Sequence, residues 1–124
     1  MFQLDFKSGV PICDRIVNGF IKLKALGVLK GNEQLPSVRS LASKFSINPN
    51  TVQKAYAILE SSGIIYSVKG KGSFISDDES ATAAVMLAAR KDFISAVKSA
   101  RNLGLTTEEM ISLVNNFSDK EETL

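Results

Sequence analysis

The sequence predicts a mainly α-helical protein with a small β wing. Two short amphipathic helical patterns lie three residues apart in the segment 35–63, and a glycine-punctuated, β-branched hairpin pattern follows directly in 64–76. Two further helical patterns occupy the rest of the chain. The expected architecture is an N-terminal winged helix-turn-helix in residues 1–76, followed by a short two-helix dimerisation hairpin in residues 77–124.

The chain opens with residues 1–6, which we expect to form a short extended arm. A first helix should begin near Pro11, because proline suits the first helical position, and Gly27 and Gly31 mark its exit. Leu35 is expected to pair briefly with the wing strands. The expected buried stripe of this helix consists of Ile12, Ile16, Phe20 and Leu23, widened by Val17 and Ile21.

The next two helices carry recognisable start and stop signals. Ser37 is a suitable N-cap for the first, and its apolar i, i+3, i+4, i+7 positions are Val38, Leu41, Ala42 and Phe45. In the second, Asn48 caps the helix, Pro49 takes the first helical position and Gly63 supplies the stop. Its apolar positions are Val52, Ala55, Tyr56 and Leu59.

The outward face of the second helix is polar, with Asn50, Thr51, Gln53 and Lys54. Amide side chains can make paired hydrogen bonds to adenine, and threonine offers both a hydroxyl and a methyl group to a base edge. The alternative is a face that is merely solvated, as on many amphipathic helices. The hairpin pattern that follows favours the nucleic-acid interpretation.

That hairpin begins with the β-branched and aromatic run 64–68, turns through Lys69, Gly70, Lys71 and Gly72, and returns in 73–76. Glycine accepts positive φ and lets a backbone approach a partner closely. The hairpin is either a surface hairpin with solubilising lysines or a wing whose tip meets DNA phosphates or the minor groove.

Together these motifs resemble the GntR-type bacterial transcription regulators, and the short tail points to the small YtrA-like subgroup. The matching segments are 35–42, 48–56, 59–60, 63–65 and 70–75, with a further match upstream at 8–12. The resemblance implies an N-terminal winged-helix DNA-binding domain, contact with DNA by Arg39, and control of transport operons, often those of ATP-driven exporters.

Four departures from the family pattern are visible. Cys13 stands where the family usually has tyrosine, and Arg15 where it often has glutamine. Residues 30–32 read Lys-Gly-Asn where Pro-Gly-Asp is common, and Lys69 replaces an arginine. Lysine keeps the charge but lacks the forked donors of arginine, so we expect weaker minor-groove reading at the wing.

The net charge of +2 hides an uneven distribution. Residues 1–76 carry ten Lys/Arg and four Asp/Glu, a balance of +6, whereas residues 77–124 carry five and nine, a balance of −4. This asymmetry indicates a basic half that meets a polyanion and an acidic half that is held away from phosphates.

The composition argues against an enzyme. The chain has no histidine and one cysteine, Cys13, and it has neither a phosphate loop nor a serine nucleophile elbow. We therefore expect no cofactor and no metal, and we assign the paired acids to capping, helix-dipole and solvation roles. The apolar run 83–89 is too short to span a membrane. With no signal-peptide pattern and a lone cysteine, a cytoplasmic location is expected.

The tail after the polar link 77–80 predicts two helices. The first runs to about Asn102 and stops at Gly104, and Thr106 with Glu109 forms a capping box for the second; residues 118–124 should be frayed. Two such helices cannot enclose a core. They pack either on the same hairpin of a second chain, which we favour, or back onto the winged domain. The expected dimer-interface residues are Met86, Phe93, Val97, Ala100, Met110, Leu113, Val114 and Phe117.

These observations lead to a dimeric transcription regulator, most simply a repressor on a pseudo-palindromic operator. Asn50, Thr51 and Gln53 should read bases. The residues expected to hold the DNA backbone or grooves are Ser37, Arg39, Asn48, Lys54, Lys69, Gly70 and Lys71. For Arg39 the alternative is a surface ion pair with Glu60.

The alternative function is a winged-helix module that binds protein instead of DNA. The operator, the target genes and the form of the dimer stay open, and any effector would have to bind between subunits.

Overall fold

The computed structural model describes residues 11–117, so the expected N-terminal arm and the expected frayed tail at 118–124 lie outside the described residues. The described chain divides into two compact units, residues 11–82 and 83–117. The elements are α1 (Ile12–Ala25), α2 (Val38–Phe45), α3 (Pro49–Ser61), β1 (Ile65–Val68), β2 (Gly72–Ile75), α4 (Glu79–Asn102) and α5 (Thr107–Asn116).

The first unit is built around α3, which packs against α1, α2 and β1. Its largest fully buried side chains come from α1, α2, α3 and the base of the wing: Phe20, Ile16, Leu41, Leu59, Ile64, Ile75 and Val52. The ring of Phe20 on α1 meets the ring of Tyr56 on α3 edge to face, with centroids 5.8 Å apart. Burying each such side chain stabilises the fold by about 1.5–3 kcal/mol, so this cluster holds α3 in place.

The predicted stripe of α1 is only partly buried. Ile16 and Phe20 are fully buried, whereas Ile12, the first helical residue, is 41% exposed, so its assignment to the core was wrong. The buried line continues at Lys24, which is only 7% exposed. Its Nζ donates to the Asp78 carbonyl at 3.0 Å and to the Thr82 hydroxyl at 2.6 Å. Residues 78–82 are therefore tied to the first unit and do more than link the two units.

The caps of the helix-turn-helix form as the sequence predicts. The Ser37 hydroxyl oxygen accepts from the Ser40 N–H at 3.0 Å, and the Asn48 side chain accepts from the Asn50 N–H at 2.8 Å. Pro49 occupies the start of α3, and Gly63 follows the helix with φ of +78°. These local hydrogen bonds fix where each helix begins, and hence which side chains of α3 face outward.

The wing is a two-stranded antiparallel hairpin, paired from Ile65 opposite Ile75 to Val68 opposite Gly72. The first strand starts one residue later than predicted, because the Ile64 N–H is used by the Leu59 carbonyl at the end of α3, and it ends at Val68 as predicted. The second strand starts and ends one residue earlier than predicted, at Gly72 and Ile75.

A third extended segment lines the free edge of β2. We call residues 32–37 the strap. The Asn32 N–H donates to the Ile75 carbonyl, the Ile75 N–H to the Glu33 carbonyl, and the Leu35 N–H to the Ser73 carbonyl, at 2.6, 2.8 and 2.9 Å. The predicted pairing of Leu35 with the wing is therefore present, and it extends over the first four strap residues. The strap leads straight into the N-cap of α2 at Ser37.

The second unit contains most of α4 and the whole of α5. Gly104, with φ of +102°, lies between the helices, and the predicted capping box of Thr106 and Glu109 is confirmed in both directions. The Arg101 guanidinium donates to the Thr107 hydroxyl at 3.2 Å across the turn. Between residues 83 and 117 no side chain is fully buried. Two helices alone therefore leave their apolar faces in contact with water.

Loss of the buried hydroxyl of Tyr56 should destabilise the first unit. That hydroxyl donates to the Pro36 carbonyl at 2.7 Å, and Tyr56→Phe leaves the carbonyl without this donor. We expect a loss of about 1–3 kcal/mol in the free energy of unfolding, measured by chemical denaturation. Tyr66→Phe is the matched control, because its hydroxyl bond to Asn32 is exposed and should contribute less. Equal losses in the two variants would contradict this account.

The capping box should give Glu109 a measurable titration signature. Hydrogen bonds from the backbone N–H and from the hydroxyl of Thr106 lower the pKa of Glu109 below its usual 4.5. The ionised carboxylate thus favours the folded helix above the unfolded pKa, and this contribution disappears as pH falls through the folded pKa. An NMR titration should place the midpoint below 4.5, and Thr106→Ala should raise it part of the way, since the backbone donor remains. A midpoint that Thr106→Ala does not move contradicts the assignment.

Candidate nucleic-acid interface

The strap joins the elements that would face DNA. Its Pro36 carbonyl accepts the Tyr56 hydroxyl of α3, its Ser37 caps α2, and its backbone pairs with β2. Burial raises the pKa of Tyr56 well above its usual value, so the phenol stays protonated and keeps donating. The positions of α2, α3 and the wing are thereby fixed relative to one another.

The outward side of α3 carries a continuous exposed face. Asn50, Gln53, Lys54 and Ala57 are all exposed and follow the i, i+3, i+4, i+7 spacing, so they share one side of the helix. Thr51 is half-buried and lies about 100° around the helix from Asn50. The predicted readers are therefore unequal: Asn50 lies near the centre of the face, Gln53 about 60° to one side of it, and Thr51 about 100° to the other side.

Ala57 on this face was not predicted from the sequence. Its methyl group is small enough to let the helix backbone come close to a groove, and alanine is among the residues that contact the thymine methyl. The signal was available, because position 57 completes the spacing that begins at Asn50.

The N-terminal end of α3 is partly occupied by its own cap. The Asn48 carbonyl oxygen of the side chain is used by the Asn50 N–H, which leaves the amide Nδ2 as a donor. The Ser37 hydroxyl accepts from the Ser40 N–H but still has its proton to donate. Both residues are exposed, so each can cap its helix and contact a phosphate at the same time.

Arg39 is exposed near the start of α2. Among residues 11–117 no ion pair joins Arg39 to Glu60; the Glu60 carboxylate accepts from the Ser67 hydroxyl of β1 at 2.9 Å. The alternative role as a partner of Glu60 is therefore wrong, because that carboxylate faces the wing.

The wing tip presents three exposed residues, Lys69, Gly70 and Lys71. Gly70 has φ of +79°, a left-handed conformation that glycine adopts without strain. The Lys71 N–H closes the turn on the Val68 carbonyl at 2.9 Å. Two lysines are thus held on either side of a turn that has no side chain at its apex.

Two supporting side chains were missed by the sequence analysis. Gln34 of the strap donates from Nε2 to the Lys71 carbonyl at 2.8 Å, and Asn32 accepts from the Tyr66 hydroxyl and donates to Asp77. These contacts join residues more than thirty positions apart, so no local pattern could reveal them. The burial of Lys24 could have been predicted, because Lys24 lies four residues after Phe20 and so on the same buried side of α1.

The second unit carries a separate apolar surface along α4 and α5. Of the predicted interface residues, Met86, Phe93, Leu113, Val114 and Phe117 are between 43% and 62% exposed. Val97, Ala100 and Met110 are half-buried. Three further exposed apolar side chains widen this surface and were not predicted: Leu87, Ile94 and Ile111.

The part of the chain between residues 11 and 117 has neither a metal cluster nor a helix suited to a membrane. No group of three or more His, Cys, Asp or Glu side chains between residues 11 and 117 is placed to hold a metal ion. None of the helices in that range combines the length and the apolar character needed to cross a bilayer. An exposed polar helix face, flanked by a basic turn, is the arrangement of a winged helix-turn-helix DNA-binding protein.

Comparison with known proteins identifies the family. Residues 25–75 match the family described as bacterial regulatory proteins, gntR family. The transcriptional repressor YtrA of Bacillus subtilis is 43% identical over 66% of this chain and 63% of its own length. The uncharacterized transcriptional regulator YhcF of the same organism is 33% identical over 92% of this chain and 95% of its own. The chain therefore spans less than two thirds of YtrA but nearly all of YhcF.

Solved structures agree with the sequence relatives. A GntR family transcriptional regulator from Listeria monocytogenes superposes with a TM-score of 0.72 and 31% identity, covering 89% of this chain and 97% of that one. AraR(DBD) in complex with operator ORX1 has a TM-score of 0.51 and 25% identity, over 54% of this chain and 81% of that one. The chain belongs to the gntR family and is a DNA-binding transcriptional regulator, as the sequence motifs predict.

Proposed function

We propose that this regulator is a homodimeric repressor that binds a pseudo-palindromic operator, with one α3 helix in the major groove of each half-site. The observation that carries the proposal is the exposed face of α3, where Asn50, Gln53 and Lys54 lie on one side of the helix near its start. The repressor activity is supported by the relative YtrA, which bears that description.

Base reading is assigned to Asn50, Gln53 and Thr51. Asparagine and glutamine can bind N6 and N7 of adenine with two hydrogen bonds, and each such pair discriminates by about 1–3 kcal/mol. Thr51, at the side of the face, is suited to a thymine methyl or to a sugar-phosphate contact at the edge of the groove. The two amides are therefore expected to set most of the sequence preference.

Contacts to the DNA backbone are assigned to residues that surround this face on three elements. They come from α2 and its cap, from the start of α3 and from the wing tip: Ser37, Arg39, Asn48, Lys54, Lys69, Gly70 and Lys71. Such contacts release condensed counterions and make affinity depend strongly on salt. They fix the register of α3 in the groove but carry little sequence information themselves.

The dimer interface is assigned to the second unit, residues 83–117, which has an exposed apolar face and no fully buried side chain. A two-fold pair of α4–α5 hairpins would bury Met86, Phe93 and Val114 against the same residues of a second copy, together with the other predicted interface residues. Symmetry of this kind also explains specificity, since two half-sites about one helical turn apart are bound together. An effector would act by changing the distance or the angle between the two α3 helices.

In vitro selection from a random duplex library tests the proposal directly. A dimer that reads DNA through α3 should recover an inverted repeat whose half-sites lie about one helical turn, or a multiple of it, apart. Recovery of a single unrepeated site would reject the symmetric dimer. No enrichment at all would favour a winged-helix module that binds protein.

Removing the charge of Arg39 should weaken DNA binding. Arg39→Ala is expected to lower affinity by about tenfold and to reduce the slope of log affinity against log salt by about one, because one phosphate contact is lost. Fluorescence anisotropy with the selected duplex at several salt concentrations measures both. Lys91→Ala, the removal of an exposed charge in the second unit, should change neither. If Arg39→Ala behaves like Lys91→Ala, the residue has no role in DNA contact.

A charge in the apolar face of α4 should separate the dimer. Phe93 is 58% exposed in the single chain, and Phe93→Glu would place an unpaired carboxylate in the proposed interface, at a cost of several kcal/mol. Sedimentation velocity should show a dimer for the wild type and a monomer for the variant, with unchanged helix content by circular dichroism.

The control for this change is Ser95→Glu. Ser95 is exposed and lies about 200° around α4 from Phe93, so the same charge on the far side should leave the dimer intact. A wild-type monomer, or a Phe93→Glu variant that still dimerises, would contradict the assignment of the interface.

A further inference from the structure

The wing tip is held by a side chain from outside the hairpin. Nε2 of Gln34, in the strap, donates to the main-chain carbonyl of Lys71 at 2.8 Å, across 37 positions of sequence. Lys71 is one of the two lysines that flank Gly70. The strap therefore reaches the one part of the wing that is otherwise supported only by its own turn.

The main chain of the strap fixes the starting point of this contact. Gln34 lies opposite Phe74 in an antiparallel bridge, between the Ile75–Glu33 and Leu35–Ser73 hydrogen bonds at 2.8 and 2.9 Å. The Gln34 side chain then extends along the hairpin from this paired position to the turn. Because its backbone is anchored on both sides, the amide can restrain the tip without moving the strap.

Gly72 leaves the space that this amide occupies. A Cβ atom at position 72 would lie 2.9 Å from Nε2 of Gln34. The backbone φ of Gly72 is +120°, a value that residues other than glycine rarely adopt. The glycine therefore has two effects: it permits the turn and it makes room for the Gln34 amide.

A hairpin of two short strands is marginally stable by itself in water. The wing is anchored at its base by Ile65 and Ile75, which are buried, whereas Val68 to Gly72 are exposed. Without the Gln34 amide, the tip would keep only the hydrogen bond from the Lys71 N–H to the Val68 carbonyl and the last strand pairs. Lysines on a fluctuating tip lose more conformational freedom when they contact a phosphate.

We propose that Gln34 is a positioning residue for DNA binding: it holds the Lys71 carbonyl and so directs Lys69 and Lys71 toward the DNA backbone. The inference rests on the proposed contact of the wing lysines with DNA. The contribution of these lysines to DNA affinity then depends on the Gln34 amide of the strap, the segment that also caps α2 and anchors α3.

The test is a double-mutant cycle. Gln34→Met keeps the length of the side chain and removes the donor, and it is combined with the pair Lys69→Ala and Lys71→Ala. Binding is measured by anisotropy on a labelled duplex of mixed sequence over a range of salt concentrations, because phosphate contacts do not depend on sequence. We expect Gln34→Met to weaken binding about threefold or more and to lower the salt slope in the wild-type background. In the background without the two lysines it should have no further effect.

The outcomes distinguish a failure of the Gln34 inference from a failure of the proposed wing contact with DNA. Equal losses from Gln34→Met in both backgrounds would show that Gln34 acts independently of the lysines, and no loss in the wild-type background would show that it does not act at all; either result overturns the inference. If the double lysine variant itself binds as the wild type does, the wing assignment under the proposed function fails and the inference fails with it.

Hydrogen exchange distinguishes positioning from a general loss of structure. In Gln34→Met the Lys71 amide should exchange faster, while the Leu35 and Ile75 amides, which pair the strap with β2, should keep their protection. Loss of protection at all three positions would mean that the substitution disrupts the strap, and would count against a specific role at the tip.

Discussion

The hydrogen bond from the Tyr56 hydroxyl to the Pro36 carbonyl connects α3, the proposed recognition helix, to the strap, and the geometry of the proposed interface depends on that connection. One residue further along, Ser37 caps α2, and on the other side the strap backbone pairs with β2. Burial holds the phenol in its protonated, donating form. Because the strap is bonded to all three elements, a shift in any one of them would strain the other two. Main-chain and hydroxyl hydrogen bonds on the inner side thus set the geometry of the proposed DNA-binding face, so its outward side chains are not needed to hold the fold.

The two units differ in how far their apolar side chains are buried and in their charge. The first, residues 11–82, has a small core that closes on Phe20, Leu41, Leu59 and Ile64, and it carries the positive balance of the chain. The second, residues 83–117, has no fully buried side chain among those described, and its four Lys/Arg and three Asp/Glu nearly balance. It offers an apolar face without an excess of positive charge. This division agrees with the proposal that the first unit binds DNA and the second unit binds a second copy of the chain.

The sequence predicted correctly the features that depend on neighbouring residues, namely the helix starts and one helix stop. The caps at Ser37 and Asn48, the stop at Gly63 and the capping box at Thr106 depend on neighbours within a few residues, and all four are present. The predicted β1 began one residue too early, because the Leu59 carbonyl at the end of α3 accepts from the Ile64 N–H, and β2 was predicted one residue too late. The buried Lys24, the Gln34 amide over Gly72 and the Asn32 contacts with Tyr66 and Asp77 arise from tertiary pairing. Only Lys24 had a visible signal, its helical spacing from Phe20, and it was obscured by the usual expectation that a lysine is exposed.

The central claim is that the α3 face reads base edges in the major groove at two symmetric positions. The most direct measurement is the affinity of the selected operator when adenines are replaced one at a time by 7-deazaadenine, which lacks the N7 acceptor but keeps Watson–Crick pairing. We expect two clusters of sensitive positions, related by two-fold symmetry and about one helical turn apart, and Asn50→Ala or Gln53→Ala should abolish the sensitivity at its own positions. An operator that binds equally well with every adenine replaced would contradict the claim.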